Sequence, residues 1–431
     1  MCKDTKTVFL LPNHFLWPNR FSSFAPMTKL SPAINAPLFT VQFSLLCISN
    51  FLFSASFTMM IPELPAYITH LGGAQYKGLI IALFTLMAGI SRPFSGKLTD
   101  KVGRVPVMIF GSIICLVCSL LYPVLTSVAG FLFLRFLHGF STGFKPTATS
   151  AYAADVVHES RRGEALGALS VGYTLGMSVG PMMGSYLVEL FSYNTMFYVS
   201  AALAMGSVII LYNVKETLAT PQKFSMGILK IQKHEIFERT SIKPAIIMLL
   251  LSFSNGCVII LAPDLSVSLG IHNKGFFFAT YTVTSLLVRL VANKASDKHG
   301  RAIVLIYSAI SLGIALAVLS MAHTVLLLLI GAAIFGASWG TIGPTIAAWT
   351  VDLCSEENRG RAIGSMYIAL EAGIGLGALV SATIYQNQSI NFSKAFLLSS
   401  FLSVLAFVLL YTWRKQQIRK ISPPNFELIS E

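Results

Sequence analysis

The sequence predicts an all-α membrane protein, with twelve transmembrane helices in two pseudo-symmetric six-helix halves. Three observations predict it. Of 431 residues, 54% are hydrophobic and only 11% charged, whereas soluble domains carry about 25% charged residues. Apolar runs of roughly 20 residues recur along the chain, each long enough to cross about 30 Å of hydrocarbon. The polar nonapeptide "GKLTDKVGR" (Gly96 to Arg104) returns as "NKASDKHGR" (Asn293 to Arg301), 197 residues later.

Taken in order, residues 1–38 read as an N-terminal tail with scattered prolines, aromatics and basic residues, and no apolar core of a signal peptide. "MTKLSPAINAPLF" from Met27 looks like a more ordinary start, so residues 1–26 are expected to be disordered or absent from the mature chain. Residues 39–214 hold six predicted spans, at 39–61, 78–95, 106–126, 128–152, 165–188 and 195–214. A polar linker follows over 215–243. Six more spans fall within 244–413, at 244–262, 275–292, 302–322, 324–349, 362–385 and 395–413, and 414–431 form a basic tail. Of the 31 Lys and Arg, 24 lie on the side of the two tails. Only Lys77, Lys274 and Lys394 lie on the other side, and four are inside spans. By the positive-inside rule both termini are cytoplasmic. This distribution also accounts for the net charge of +13 without a nucleic-acid partner.

The offset of 197 is not confined to the nonapeptide. Arg92 maps to Arg289, Asp100 to Asp297, Gly103 to Gly300 and Arg104 to Arg301. "DVVHESRRGEALG" from Asp155 maps to "DLCSEENRGRAIG" from Asp352, and Gly139, Gly143, Gly176 and Gly180 find glycines at 336, 340, 373 and 377. A constant offset across several elements indicates a duplicated six-helix unit, one of the known transporter architectures.

These residues resemble the major facilitator superfamily over nearly the whole chain from residue 39. "GKLTDKVGR" looks like its cytoplasmic loop signature. "RFLHGFSTG" (Arg135 to Gly143) resembles the fourth-helix motif of its proton-coupled members. "GMSVGPMMG" (Gly176 to Gly184) resembles the fifth-helix motif of its drug:proton antiporter, or efflux, branch. The resemblance implies that Asp100 faces the N-terminus of the eleventh helix, where the helix dipole favours a carboxylate. Arg104 and Arg162 are natural charged partners for it. With Gly96 allowing close helix approach, Gly103 allowing a tight reversal, and the second copy Asp297, Gly300 and Arg301, this cluster is the expected conformational latch. Gly176, Gly180 and Gly184 form one smooth face and Pro181 bends the helix, giving either a hinge between halves or plain packing.

Intramembrane charges carry most of the functional information, because a charge at mid-bilayer costs at least about 2.5–3.5 kcal/mol and usually faces a cavity or a partner. Of 18 acids only Glu371 lies well inside a span, about 14 Å deep by helical rise. Lys145 and Arg135 share the fourth span. None of the three recurs in the other copy, where Thr174, Ile342 and Ala332 stand. Glu371 is the candidate proton carrier. Lys145 is a candidate for substrate or counter-ion binding, or for a pair with Glu371. Arg135 serves proton coupling or packing. Arg92 and Arg289 lie near cytoplasmic ends, where long side chains snorkel. Asn50, Asn255 and Trp339 are further candidate lining residues, on the first, seventh and tenth spans. The first span has no acid before Glu63, a departure from many drug:proton antiporters, so an anionic or zwitterionic substrate fits as well as a cationic one.

The expected function is proton-coupled secondary active transport, with export of small organic compounds. The alternatives are a proton symporter importing an organic anion and, more remotely, a receptor or scaffold. The expected setting is the plasma (inner) membrane, multi-pass, with a monomer in the lipid bilayer and a small-molecule substrate. No cofactor is expected beyond the proton gradient. There is no nucleotide loop, which excludes ATP as an internal driver. There is also no nucleophile motif or metal cluster to suggest an enzyme, and the Cys115-Cys118 pair lies in an apolar run without other ligands nearby.

Overall fold

The computed structural model describes residues 38–157, 161–231, 237–355 and 358–421, apart from the side chains of 163, 290–295, 297 and 417–421. The expectations for residues 1–26 and for the Asp297 side chain therefore lie outside the described residues.

Among the described residues there are thirteen α-helices and no strands. The first half comprises α1 (Val41–Met59), the short α2 (Leu64–His70), α3 (Lys77–Lys101), α4 (Arg104–Leu121), α5 (Val128–Asp155), α6 (Arg162–Leu190) and α7 (Tyr193–Tyr212). The second comprises α8 (Ile242–Ser268), α9 (Gly275–His299), α10 (Arg301–Ser320), α11 (Val325–Asp352), α12 (Arg359–Tyr385) and α13 (Phe392–Ile421). All but α2 are long enough to span, which gives the twelve expected crossings. Nine of the twelve also contain a strongly apolar stretch of 18 residues. The three that do not are α5, α6 and α9, which carry Arg135 and Lys145, the glycine stripe, and Arg289.

The helix starts follow from local chemistry. Thr40, Ser127, Ser192 and Thr324 each accept a hydrogen bond from a first-turn N–H and so cap α1, α5, α7 and α11. Pro65 opens α2, where its missing N–H costs nothing. Gly103 and Gly300 turn the chain between α3 and α4 and between α9 and α10 at φ of 140° and 87°, a region that disfavours any side chain.

Packing repeats the duplication. In the first half α1 lies on α6, α3 on α5 and α4 on α7. In the second half α8 lies on α12, α9 on α11 and α10 on α13. Two seams join the halves, α3 against α12 and α6 against α9. Exposed apolar side chains such as Leu86, Tyr307 and Phe401 cover the outside of the bundle, as lipid contact requires. An even number of crossings puts both described chain ends at one end of the bundle, here called the termini end. The other is the far end.

Candidate functional site: the charged seams between the halves

The far end is closed by two ion pairs, each running from one half to the other. Lys77, at the start of α3, donates to Asp264 of α8 at 2.6 Å. Lys274, just before α9, donates to Glu63 at 2.6 Å, and Glu63 also accepts from the Ser185 hydroxyl at 2.7 Å. The two lysines are 197 residues apart. The acids stand in the repeated tripeptides Pro62-Glu63-Leu64 and Pro263-Asp264-Leu265, 201 residues apart. Between acid and lysine the second copy is thus four residues shorter, about one helical turn. Glycines bring the helices close beside each lysine. A side chain on Gly78 would meet the Ala378 carbonyl at 2.9 Å, and one on Gly275 would meet the Pro181 carbonyl at 2.5 Å. Gly78 and Gly275 are again 197 apart, as are Pro181 and Ala378. The far end is therefore a pseudo-twofold clamp. In the sequence these two lysines look like loop residues; the repeated Pro-acid-Leu beside the repeated lysines was the signal that would have paired them.

Midway along the first seam, Glu371 of α12 accepts from Arg92 Nη2 of α3 at 2.7 Å. Both side chains are nearly buried, the guanidinium lies 4.4 Å from the centre of the Tyr367 ring, and Gly89 gives room for the Glu371 Cβ. This overturns two expectations. Arg92 does not snorkel to the interface, because α3 continues to Lys101 and sets Arg92 more than two turns inside it. Glu371 pairs with Arg92 and not with Lys145.

Lys145 lies elsewhere. It is fully buried inside the first half, where its ammonium donates to the Ser49 carbonyl (2.9 Å), the Ser49 hydroxyl (3.0 Å) and the Ser207 hydroxyl, 4.5 Å from the Phe53 ring centre. These partners are all uncharged. Arg135 is also inside that half. It donates to the Ile80 carbonyl at 3.2 Å and to the Tyr122 hydroxyl at 3.4 Å, over the Phe84 ring. A polar chain continues through Tyr122 and His138 to Cys115 and Ser56. Helical depth places these cations in the fourth span, but their facing is toward helices of their own half, not toward the space between the halves.

The remaining candidates scatter. Asn50 donates to the Leu169 carbonyl at 3.3 Å, leaving its own oxygen buried and unpartnered. Asn255 is half-buried. Trp339 is buried with its indole N–H unpartnered. Gly176, Gly180 and Gly184 pack α6 onto α1, against Ser54, Thr58 and Met59. The stripe therefore lies within one half, and it is Pro181 that meets the other half, at Gly275.

At the termini end the loop signature forms duplicated pairs inside each half. Arg104 donates to Asp155 at 3.0 Å, and Arg301 to Asp352 at 2.9 Å. Asp100 is 71% exposed, with Arg104 at 3.5 Å as its ion-pair partner, and does not reach α12. Arg162 donates to the Ala154 carbonyl at 3.3 Å. Gly96 has open space beside it, so no close helix approach depends on it. Glu216, unnoticed in the sequence, accepts from the N–H groups of Arg104 and Val105 and so caps α4 from the linker.

A duplicated bundle of membrane-length helices, clamped across its two halves at one end and carrying an ion pair in the seam, defines a membrane transporter of the two-half kind. The comparisons agree. The Major Facilitator Superfamily model matches residues 46–244 and again 244–428, and the chain belongs to that superfamily. It is similar to the multidrug resistance protein MdtG of Escherichia coli, at 27% identity over 91% of this chain and 99% of MdtG. It is also similar to the multi-drug resistance efflux pump PmrA of Streptococcus pneumoniae, at 34% identity over 39% of this chain. That match spans less than half of PmrA, 43% of its length. Among solved structures, the human organic anion transporter MFSD10 matches with a TM-score of 0.67 at 16% identity, covering 86% of this chain and 98% of that one. A point mutant of the nucleoside transporter NupG matches with a TM-score of 0.69 at 15% identity, covering 86% and 99%. Both show the fold.

Proposed function

We propose that the protein is a proton-coupled secondary active transporter that exports small organic compounds by alternating access across the plasma (inner) membrane, with both termini cytoplasmic. The observation that carries alternating access is the difference between the ends. The far end is held by two reciprocal ion pairs between halves, while the signature residue Asp100 at the termini end pairs within its own half. With the termini in the cytoplasm this is the inward-facing state. Opening the far end requires breaking Lys77–Asp264 and Lys274–Glu63. In exchange, Asp100 would approach the N-terminus of α12, where the helix dipole favours it.

Glu371 is the proposed proton site. Its negative charge ties α12 to Arg92 across the seam. A proton on the carboxylate removes that attraction and leaves Arg92 free to take another partner. Proton binding and the relative position of the halves are thereby linked through one pair. Export is supported by the similarity to PmrA, named as an efflux pump, and to MdtG, named as a multidrug resistance protein.

The test uses a host stripped of its own efflux pumps. Wild type is expected to protect against some members of a panel of cationic, neutral and anionic compounds, and Glu371→Gln at matched expression is expected to lose that protection. Protection by wild type that is unchanged in Glu371→Gln would refute the proton role. Increased sensitivity to anions would replace export with import.

A further inference from the structure

The two seams are copies, and only one has its acid. Gly78 meets Ala378 in the first seam, and Gly275 meets Pro181 in the second, each residue displaced by 197. The register of α9 on α6 is therefore that of α3 on α12. Residues 14 apart complete nearly four helical turns and residues 7 apart nearly two, so both return to the same helix face. From Gly78, 14 residues lead to Arg92, and from Ala378, 7 lead back to Glu371, which are paired. From Gly275, 14 residues lead to Arg289, and from Pro181, 7 lead back to Thr174. Thr174 is buried and carries no charge.

Arg289 accordingly lacks what Arg92 has. Its Nε is buried without a hydrogen-bond partner, and no carboxylate among the described residues pairs with it. Arg92 also has an unpartnered Nε, but its Nη2 is held by Glu371. Where α3 presents Gly89 to Glu371, α9 carries Leu286, whose bulk disfavours the same close approach. Aromatic residues lie near this uncharged position along the three helices. Tyr173 precedes Thr174, and Tyr281 is two turns from Arg289 on α9. Trp339, with its unpartnered N–H, adjoins Gly340, which lies against Ser285 one turn from Arg289.

We propose that Arg289 binds the carboxylate of an organic acid, the ligand supplying the acid that the second seam lacks. The planar guanidinium fork matches a carboxylate in a bidentate pair, and aromatic residues nearby on α6, α9 and α11 suit an aromatic body. As a statement about substrate this rests on the transport reading, but binding can be measured without transport. The cation of the first seam is then tied to a proton site and that of the second to the cargo, so one duplicated device serves both coupling and recognition.

The experiment has two parts, both on the purified full chain in lipid nanodiscs. In the first, a panel of radiolabelled aromatic acids, with 1-naphthylacetate as the lead probe, is compared with the matching neutral amides. Acids are expected to bind wild type roughly tenfold or more tightly than amides, the factor a charge-assisted hydrogen bond is worth. Arg289→Gln is expected to erase the difference while leaving amide binding in place, and Arg289→Lys to keep part of it. If no acid binds more tightly than its amide, or if Arg289→Gln keeps the preference, the proposal is overturned. The second part supplies the missing acid. Thr174→Glu is expected to raise the melting temperature of wild type, to lower that of Arg289→Gln, and to weaken acid binding. Equal destabilisation of both backgrounds would show that Arg289 does not face position 174 and would overturn the proposal. Loss of protection by wild type in the pump-deficient host would instead refute the transport reading.

Discussion

Removing Lys274 by Lys274→Met should open the far end, and the size of the effect follows from burial. The Glu63 side chain is 3% exposed and the Lys274 side chain 13%, so solvent screens this pair little. Without the lysine, the Glu63 carboxylate retains, among the described residues, the Ser185 hydroxyl as its side-chain partner. Stranding one member of a buried pair costs about 3–5 kcal/mol. That cost falls on the closed state alone, because an open far end admits water to the carboxylate. The closed-to-open ratio should therefore fall by a factor of roughly 10² to several times 10³. The assay places a cysteine at Thr85, buried in the first seam beside Gly375, in a background without other cysteines. Labelling by a membrane-impermeant maleimide from the far side is then timed. Lys274→Met should label much faster than the parent. The double variant Glu63→Gln/Lys274→Met should label more slowly than Lys274→Met, because no unpaired charge remains. Labelling of Lys274→Met at the parental rate, or of the double variant as fast as the single, would refute the clamp.

Other consequences are checked by thermal unfolding in detergent. Gly184→Ala drives a methyl into the Met59 carbonyl and should cost about 1–3 kcal/mol as overpacking. Gly96→Ala meets nothing and should be neutral or gain about 0.5–1 kcal/mol from helix propensity. Glu216→Ala uncaps α4 and should lose about 1 kcal/mol. Lys145→Met should leave stability within about 2 kcal/mol of wild type. It removes a costly buried amine, and Ser49 and Ser207, 2.9 Å apart, still hydrogen-bond each other. Failure of that variant to fold would mean that the ammonium organises the first half.

The duplicated features were legible in the sequence because a constant offset survives folding unchanged. The two turns at Gly103 and Gly300 and the six-plus-six division could all be read from the repeat. What could not be read is which way a side chain faces. Counting residues from a loop gives depth at about 1.5 Å per residue, and depth correctly put Glu371, Lys145 and Arg135 inside the bundle. Azimuth depends on which helices pack together, and there the reading failed. Lys145 turned into its own half, and Arg92, taken for a snorkelling residue, turned into the seam. The glycine stripe was recognised as a packing face, but the partner helix, α1, lay outside what a motif can specify.

The places where the two copies agree and disagree divide by depth, and this has a mechanical reason. At the far end both halves offer a lysine to the other half's acid, and at the termini end both carry the same arginine–aspartate pair. The proposed rocking of the halves needs matched edges, since an edge held on one side only would hinge there and not release. Midway the requirement reverses. A symmetric centre would offer the proposed proton and cargo two equivalent sites and could not distinguish one from the other. With threonine at position 174 where the other copy has glutamate, Arg92 has its acid and Arg289 does not. The two sites are thereby chemically different within a frame that remains mechanically equal.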